Sequence, residues 1–228
     1  MNNSLLNLLH LTDSSLPIGS YSHSAGLETY VQSGIVNDAD SAKKYIESMV
    51  SENLKYTDGA ILSFAYDAAL NNDLKKIIDL NDLCNAIKLP EEIRQASIKL
   101  GVRLSKIFIP FCNDELSIEF FDLIKNKNVK VHICVAFGFY AQRLSISKID
   151  ALTGFYYNAC AGFINNCVKL IPLGQQMGQE ILFSLHHMIN TVAIESLEPD
   201  ESMLGRSCPG FDIRCMQHES IYSRLYMS

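Results

Sequence analysis

Val129 to Leu144 is apolar on nearly every side, broken only by Lys130, His132, Gln142 and Arg143. Its β-branched residues would suit a strand. The length of Val131 to Leu144, and the run Ala136-Phe137-Gly138-Phe139-Tyr140-Ala141, favour instead a helix buried at the centre of the molecule. A helix without a polar face has to be enclosed by other elements, and the rest of the chain reads as that enclosure.

Apolar residues recur at helical spacing almost throughout. Ala42, Ile46, Met49, Val50 and Leu54 form one stripe, with Asp38 or Asp40 as its cap. Thr57 is read as the cap of the next helix, with Ile61, Phe64, Ala65 and Ala68 inward. Asn72 or Asp73 opens a third, carrying Leu74, Ile77 and Ile78. Pro90 followed by Glu91 and Glu92 marks a helix start, since proline and acids suit a first turn. That helix runs to about Ile109, where Pro110 ends it, with Ile93, Ala96, Leu100, Leu104 and Phe108 facing in. Leu116 to Ile124 is a short helix before the solvated connection Lys125 to Asn128. Ser147 with Asp150 resembles a capping box. Ala151, Phe155, Ala159, Gly162 and Phe163 then line one face of a long helix. Pro172 interrupts, and a last long helix reaches about Glu195. The fold class is all-α: a single-domain bundle of roughly eight to ten helices spanning 1–196. A partly irregular C-terminal tail, 197–228, follows. Gly205, Pro209 and Gly210 are expected to keep it irregular up to Phe211, and its apolar, aromatic end either docks on its own body or folds against a partner.

With 228 residues, 48% of them hydrophobic, the chain can bury a sizeable core. A net charge of −6, with its cations scattered, gives nucleic acid no basic surface and points toward protein partners. No run of ~20 apolar residues spans a membrane, and the N-terminus lacks the basic start and apolar length of a signal peptide. Seven well-separated cysteines fit buried free thiols in a cytoplasmic protein.

The densest chemistry lies between Thr12 and Glu28, T-D-S-S-L-P-I-G-S-Y-S-H-S-A-G-L-E. Leu16-Pro17-Ile18-Gly19 fits a type I turn, and Ser22 or Ser24 can cap a helix starting near His23. Ser20, Ser22 or Ser24 with His23 and Glu28 supply the residue types of a hydrolytic triad. Near neighbours on a chain rarely point at one another, however, and no G-x-S-x-G elbow exists. The plainer reading is that the serines satisfy turn backbone while His23 and Glu28 reach other segments. Cys208, Cys215 and His218 offer soft donors for a transient nickel contact, but C-x6-C-x2-H matches no structural zinc pattern. Cys160 and Cys167 read as small hydrophobes, and His186 with His187 diverge on a helix. Gly174 and Gly178, one turn apart, suggest a close approach by another element, with Gln175 and Gln179 on a neighbouring face. No G-x-x-x-x-G-K-[ST] loop is present to hold a nucleotide.

Three of these passages resemble the urease accessory protein UreF family. Asp13 to Glu28 follows D-S-x-L-P-x-G-[SA]-[FY]-x-H-S-x-G-L-E, Pro172 to Gln179 follows P-L-G-Q-x-x-G-Q, and Asp212 to Ser228 follows D-I-x-x-M-x-H-E-x-x-Y-S-R-L-F-x-S. Weaker matches lie at Arg94 to Leu104 and His132 to Gly138. The resemblance implies an all-α homodimer that is not an enzyme and binds no cofactor itself. It implies a scaffold joining a nickel-carrying GTPase (UreG) and a second accessory protein (UreD, also called UreH) on apo-urease, with nickel and GTP handled by those partners. Regulation of the GTPase and of nickel release goes with the scaffold reading; a GTPase-activating role would need a residue reaching the phosphates in trans, for which nothing in the sequence selects between Arg224 and Arg206. A direct nickel-binding chaperone is the alternative. Residue by residue, it assigns Pro17, Gly19, Ser20, His23 and Glu28, with Gly174, Gln175 and Gln179, to the dimer and GTPase-facing surface. It assigns His218, Glu219, Tyr222, Arg224 and Leu225 to the tail contact with UreD. The chain departs from the pattern at Ala25, where phenylalanine is usual, and at Lys169, Gln217 and near Met227, where arginine is usual; lysine cannot reproduce arginine's bidentate fork.

Overall fold

The structure, a computed structural model, describes residues 3–19, 26–206 and 208–219. Its elements are helical, with no strand among the described residues. The apolar passage forms α8 (Ile133–Arg143), with every side chain from Cys134 to Ala141 buried. It lies between α4 (Ala60–Leu70) and α6 (Glu91–Phe108), with α5 (Leu74–Ile87) and α9 (Lys148–Leu170) against it. Two glycines allow this. A Cβ on Gly138 would collide with the backbone of Leu62, and one on Gly101 with the backbone of Val131 and His132. The central helix is therefore approached backbone to backbone from two sides.

α4 does not begin at Thr57. Residues 39–70 form one uninterrupted rod: α3 (Ala39–Ser48), a π-helical stretch Met49–Gly59, then α4. Thr57 Oγ1 donates to the Asn53 carbonyl at 2.9 Å, one turn back, instead of capping a new helix. The wider π turns shift the register between the two flanking stripes, and that shift in the sequence pattern mimics a break. Asp38 does cap the rod, in a reciprocal box with Ser41. Asp73 caps α5, Asp114 caps α7 (Glu115–Lys125), and Ser147 caps α9.

Further departures concern ends and faces. Ser4–Leu11 forms α1, whose Leu11 is buried while Leu5, Leu6 and Leu9 stay exposed. On α9 the expected Ala151 and Phe163 are buried, with Leu152, Tyr156, Cys160, Ile164 and Cys167, but the expected Phe155, Ala159 and Gly162 are only half-buried. The last long helix is two helices, α10 (Gln175–Ser184) and α11 (His186–Glu195), broken at the fully buried Leu185. α10 packs on α9 and α3, whereas α11 packs on α9 and the π stretch, so the break serves two different neighbours.

The described part of the tail is ordered on the body. Gly205 N–H donates to the Tyr56 carbonyl at 2.8 Å. Pro209 does not block structure: it starts α12 (Pro209–His218), at the helix position where its fixed φ and missing N–H are tolerated. α12 packs on α2 (Leu27–Gln32) and α6. Among the described residues no helix is long and apolar enough to cross a membrane.

Candidate functional site

α12 brings the two ends of the chain together. Thr29 Oγ1 donates to the Arg214 carbonyl at 3.0 Å, and the Arg214 guanidinium donates to Ser33 Oγ at 3.0 Å. Gly26, at φ +77°, lies against Cys215, whose sulfur would be 2.7 Å from any Cβ placed there. Below these contacts the His218 imidazole sits between two carboxylates. Its Nδ1 is 2.7 Å from Glu92 Oε2, and its Nε2 is 3.7 Å from Glu28 Oε1. His218 and Glu28 are buried, at 1% and 3% exposure. Nδ1 is thus within hydrogen-bond distance of Glu92, whereas Nε2 faces Glu28 from just beyond it. Glu92 stands in the first turn of α6, where an acid suits the helix end, and His218 in the last turn of α12.

The structure thus joins two residues that the sequence placed 190 positions apart, Glu28 and His218. It adds one that sequence reading took only for a helix-start acid, Glu92. Glu219, exposed, follows as the C-cap of α12. Ser20, His23, Tyr222, Arg224 and Leu225, with Ser22 and Ser24, lie outside the described residues. So does the start of the helix expected near His23; the described helix begins at Leu27.

The loop before that gap is held from α6. Arg103 Nη1 donates to the Ile18 carbonyl at 2.8 Å. The turn is tighter than the expected type I, because Ile18 N–H bonds back to the Leu16 carbonyl at 2.7 Å across exposed Pro17. Gly19 follows at φ +80°, a conformation that favours glycine. Ile171-Pro172-Leu173-Gly174 repeats this turn, with Leu173 N–H to the Ile171 carbonyl at 2.7 Å. In both turns the residue before proline is buried and the proline caps the outside. Arg103 had a faint sequence signal, as a member of the Arg94 to Leu104 passage.

Gly174 is the N-cap of α10, outside the helix, with open space where a Cβ would go. Gly178 alone makes the close approach, with Ile164 and Val168 of α9 at 3.1 and 3.2 Å from an added Cβ. Gln175 and Gln179 are exposed. α10 lies against α9 and α3, whereas the His218 junction belongs to α2, α6 and α12.

Cys208, Cys215 and His218 do not converge. Cys208 Sγ meets the Glu52 carbonyl at 3.3 Å, Cys215 is buried against Gly26, and His218 is held by carboxylates. Burial pushes the Cys215 thiol well up. Among the described residues no group of three His, Cys, Asp or Glu side chains is placed to hold a metal ion.

Between α6 and α9 runs an apolar trough made of two adjoining cavities of about 240 and 260 Å³, which share Leu100, Ile133, Phe155, Ala159 and Phe163. Asp13, Ser14 and Ile18 line one end, and Gly205, Phe211 and Asp212 line the other. The half-buried face of α9 forms its wall. The charged groups Asp58, from the π stretch, and Lys88, from the end of α5, also line the first cavity and neutralise each other at 2.6 Å. The trough's ends are thus built from the first and last distinctive passages of the sequence.

A model of the UreF family matches residues 36–186. The urease accessory protein UreF of Actinobacillus pleuropneumoniae serotype 5b is 45% identical over 221 residues, covering 97% of both chains. Its counterpart in Haemophilus influenzae (strain Rd) is 44% identical across 97% of this chain and 94% of its own. That of Bacillus sp. strain TB-90 is 33% identical across 99% and 100%. With two thirds of its length inside the family model, and such relatives matched end to end, this chain belongs to the UreF family.

Proposed function

We propose that this chain is a non-catalytic accessory protein in the maturation of nickel-containing urease. It bridges a nickel-carrying GTPase and the UreD/UreH accessory protein on apo-urease, as a homodimer. The observation that carries this reading is the Glu28–His218–Glu92 junction. The residues most distinctive of the first and last passages of the chain are spent on binding one terminus to the other, deep in the protein. Such a device shapes a surface; it does not present a nucleophile to solvent. Glu28, the orienter in a hydrolytic triad, is turned toward His218 from the other end of the chain.

On this reading, the chain offers two partner surfaces. Pro17 and Gly19, with Ser20 and His23, belong to the face toward the GTPase, and Gly174, Gln175 and Gln179 to the same class of contact. Glu219 begins the segment, through Tyr222, Arg224 and Leu225, that recruits UreD/UreH. A scaffold of this kind changes nickel release only by binding one nucleotide state of the GTPase better than the other. Nickel is cargo of the assembly.

The experiment is co-purification of the chain with UreD/UreH and the GTPase. Wild type is compared with a chain ending at Glu219, which keeps α12 and its junction. Loss of UreD/UreH from a protein with unchanged helicity and unchanged self-association supports the assignment of residues 220–228. Full retention of both partners overturns it.

A further inference from the structure

The thiols of Cys84, near the end of α5, and Cys134, in the first turn of α8, lie 3.6 Å apart, sulfur to sulfur. Both residues are fully buried. Nothing in the scaffold reading uses them. Their surroundings differ from an ordinary apolar core. Lys88, one turn beyond Cys84, brings an ammonium group that is itself buried and paired with Asp58. His132, at the N-cap of α8, has Nδ1 3.1 Å from Ser97 Oγ, and the ring also helps to lower the Cys84 thiol.

The two thiols are electronically unequal. The hydrogen bond from Cys134, helped by the charge of Lys88, holds Cys84 below the ordinary thiol range against the effect of burial. Burial, then the proximity of Cys84, pushes Cys134 well above it. One sulfur is a ready nucleophile and its neighbour a resolving thiol, the arrangement that thiol oxidation requires. Cys160 and Cys167 show the contrast: burial is the sole influence on them, and it pushes both up to about 12.

We propose that Cys84 and Cys134 form a reversible dithiol–disulfide site oxidised by hydrogen peroxide. The Cys84 sulfur attacks one peroxide oxygen, so that an S–O bond forms and the O–O bond breaks. The departing oxygen leaves as water after taking a proton. The Cys134 sulfur then attacks the Cys84 sulfur; the S–S bond forms, the S–O bond breaks, and the second oxygen leaves as water with the Cys134 proton. The sulfur pair loses two electrons, and the peroxide gains them in becoming two waters. Burial selects the oxidant, since neither sulfur is open to a bulky disulfide. The cavity of about 240 Å³ is lined by Ile87, Lys88 and Ile133, neighbours of the pair in the chain. That space is several times the roughly 30 Å³ that a water occupies in the liquid, so hydrogen peroxide fits in it, with the two sulfurs behind its wall. The bond would tie α5 to the central helix.

The test uses the full-length reduced protein treated with hydrogen peroxide, then alkylated in denaturant and digested without reductant. The expected result is a Cys84–Cys134 linked peptide, lighter by two hydrogens than its reduced parts, removed by dithiothreitol and absent from Cys84→Ser. Recovery of both cysteines as alkylated thiols, at a dose that oxidises the more exposed Cys208, overturns the proposal. So does conversion of Cys84 to sulfinic acid without a link.

Discussion

The Lys88 ammonium lies 2.6 Å from the Asp58 carboxylate, with less than a tenth of either side chain exposed. The pair fastens the end of α5 to the π-helical stretch. Removing one partner leaves an uncompensated buried charge, which costs roughly 3–5 kcal/mol, whereas replacing both with apolar groups of similar size is close to neutral. Asp58→Asn and Lys88→Met should each lower the urea midpoint strongly, and the double variant Asp58→Leu/Lys88→Met should recover most of the loss. Additive losses in the double variant would show that the two charges act separately.

The same pair sets a pH response. Burial pushes Asp58 up, but Lys88 beside it more than compensates, and the carboxyl ends below its ordinary 3.8. Burial works against the charge on Lys88 as well, but Asp58 and the nearby thiols raise it above 10.5. The Asp58 contribution is therefore complete above about pH 4 and lost as pH falls through its lowered value. The Lys88 contribution is complete below about pH 10 and lost as pH rises through its raised value. Urea midpoints across pH should show the wild type exceeding Asp58→Asn by a constant margin between these limits, with the margin shrinking in acid. A margin that grows in acid would contradict the assignment.

At Gly138 an added methyl meets the backbone of Leu62, which no rotamer change relieves. At Gly178 it meets only the methyl ends of Ile164 and Val168, which can give by a few tenths of an ångström. Gly138→Ala should therefore cost more than about 3 kcal/mol, and Gly178→Ala less than about 1. Thermal melts of the two variants rank them directly, and equal losses would mean that α4 and α8 separate easily.

The core was legible because burial and periodicity coincide there. Val131 to Leu144 had no polar face, and α8 is enclosed on all sides. Asp38, Asp73 and Ser147 were legible as caps because their side chains bond locally. The π stretch was not, because a shifted stripe looks the same as a fresh start at Thr57. The break at Leu185 left no proline or glycine to mark it. Within the junction, Glu28 and His218 stood out by composition, but Glu92 did not, since an acid at a helix start already has a sufficient local reason. What the sequence could not carry was that these three, from three segments, share one buried space.

Native thiol chemistry should separate the cysteines by exposure. Cys208 is the partly exposed one, while Cys112, Cys160, Cys167 and Cys215 are buried and held up by burial, Cys112 to about 11. Thiolate is the reactive form, so at pH 8 a bulky disulfide reagent should titrate one thiol quickly and the others only on unfolding. Cys208→Ser should remove the fast phase. A fast phase that survives it would place an accessible thiol elsewhere.

His218 makes the sharpest test of how the termini are joined. His218→Ala withdraws the imidazole from Glu92, whose side chain is 17% exposed, and from Glu28, at 4%. Glu92 can turn toward water, but Glu28 is far more enclosed. The cost should approach the roughly 3 kcal/mol of a broken buried pair, and most of it should come from Glu28. Glu28→Gln in the His218→Ala background removes the stranded charge and should restore part of the stability. The loss should also be local. α12 is the last described helix and packs on α2 and α6, so its amides should exchange faster with solvent while those of α8 stay protected. If α12 keeps its protection and the midpoint does not move, the carboxylate–imidazole junction does not hold the C-terminal helix. The helix would then rest on its other contacts, such as Cys215 against Gly26 and the Thr29 and Arg214 bonds.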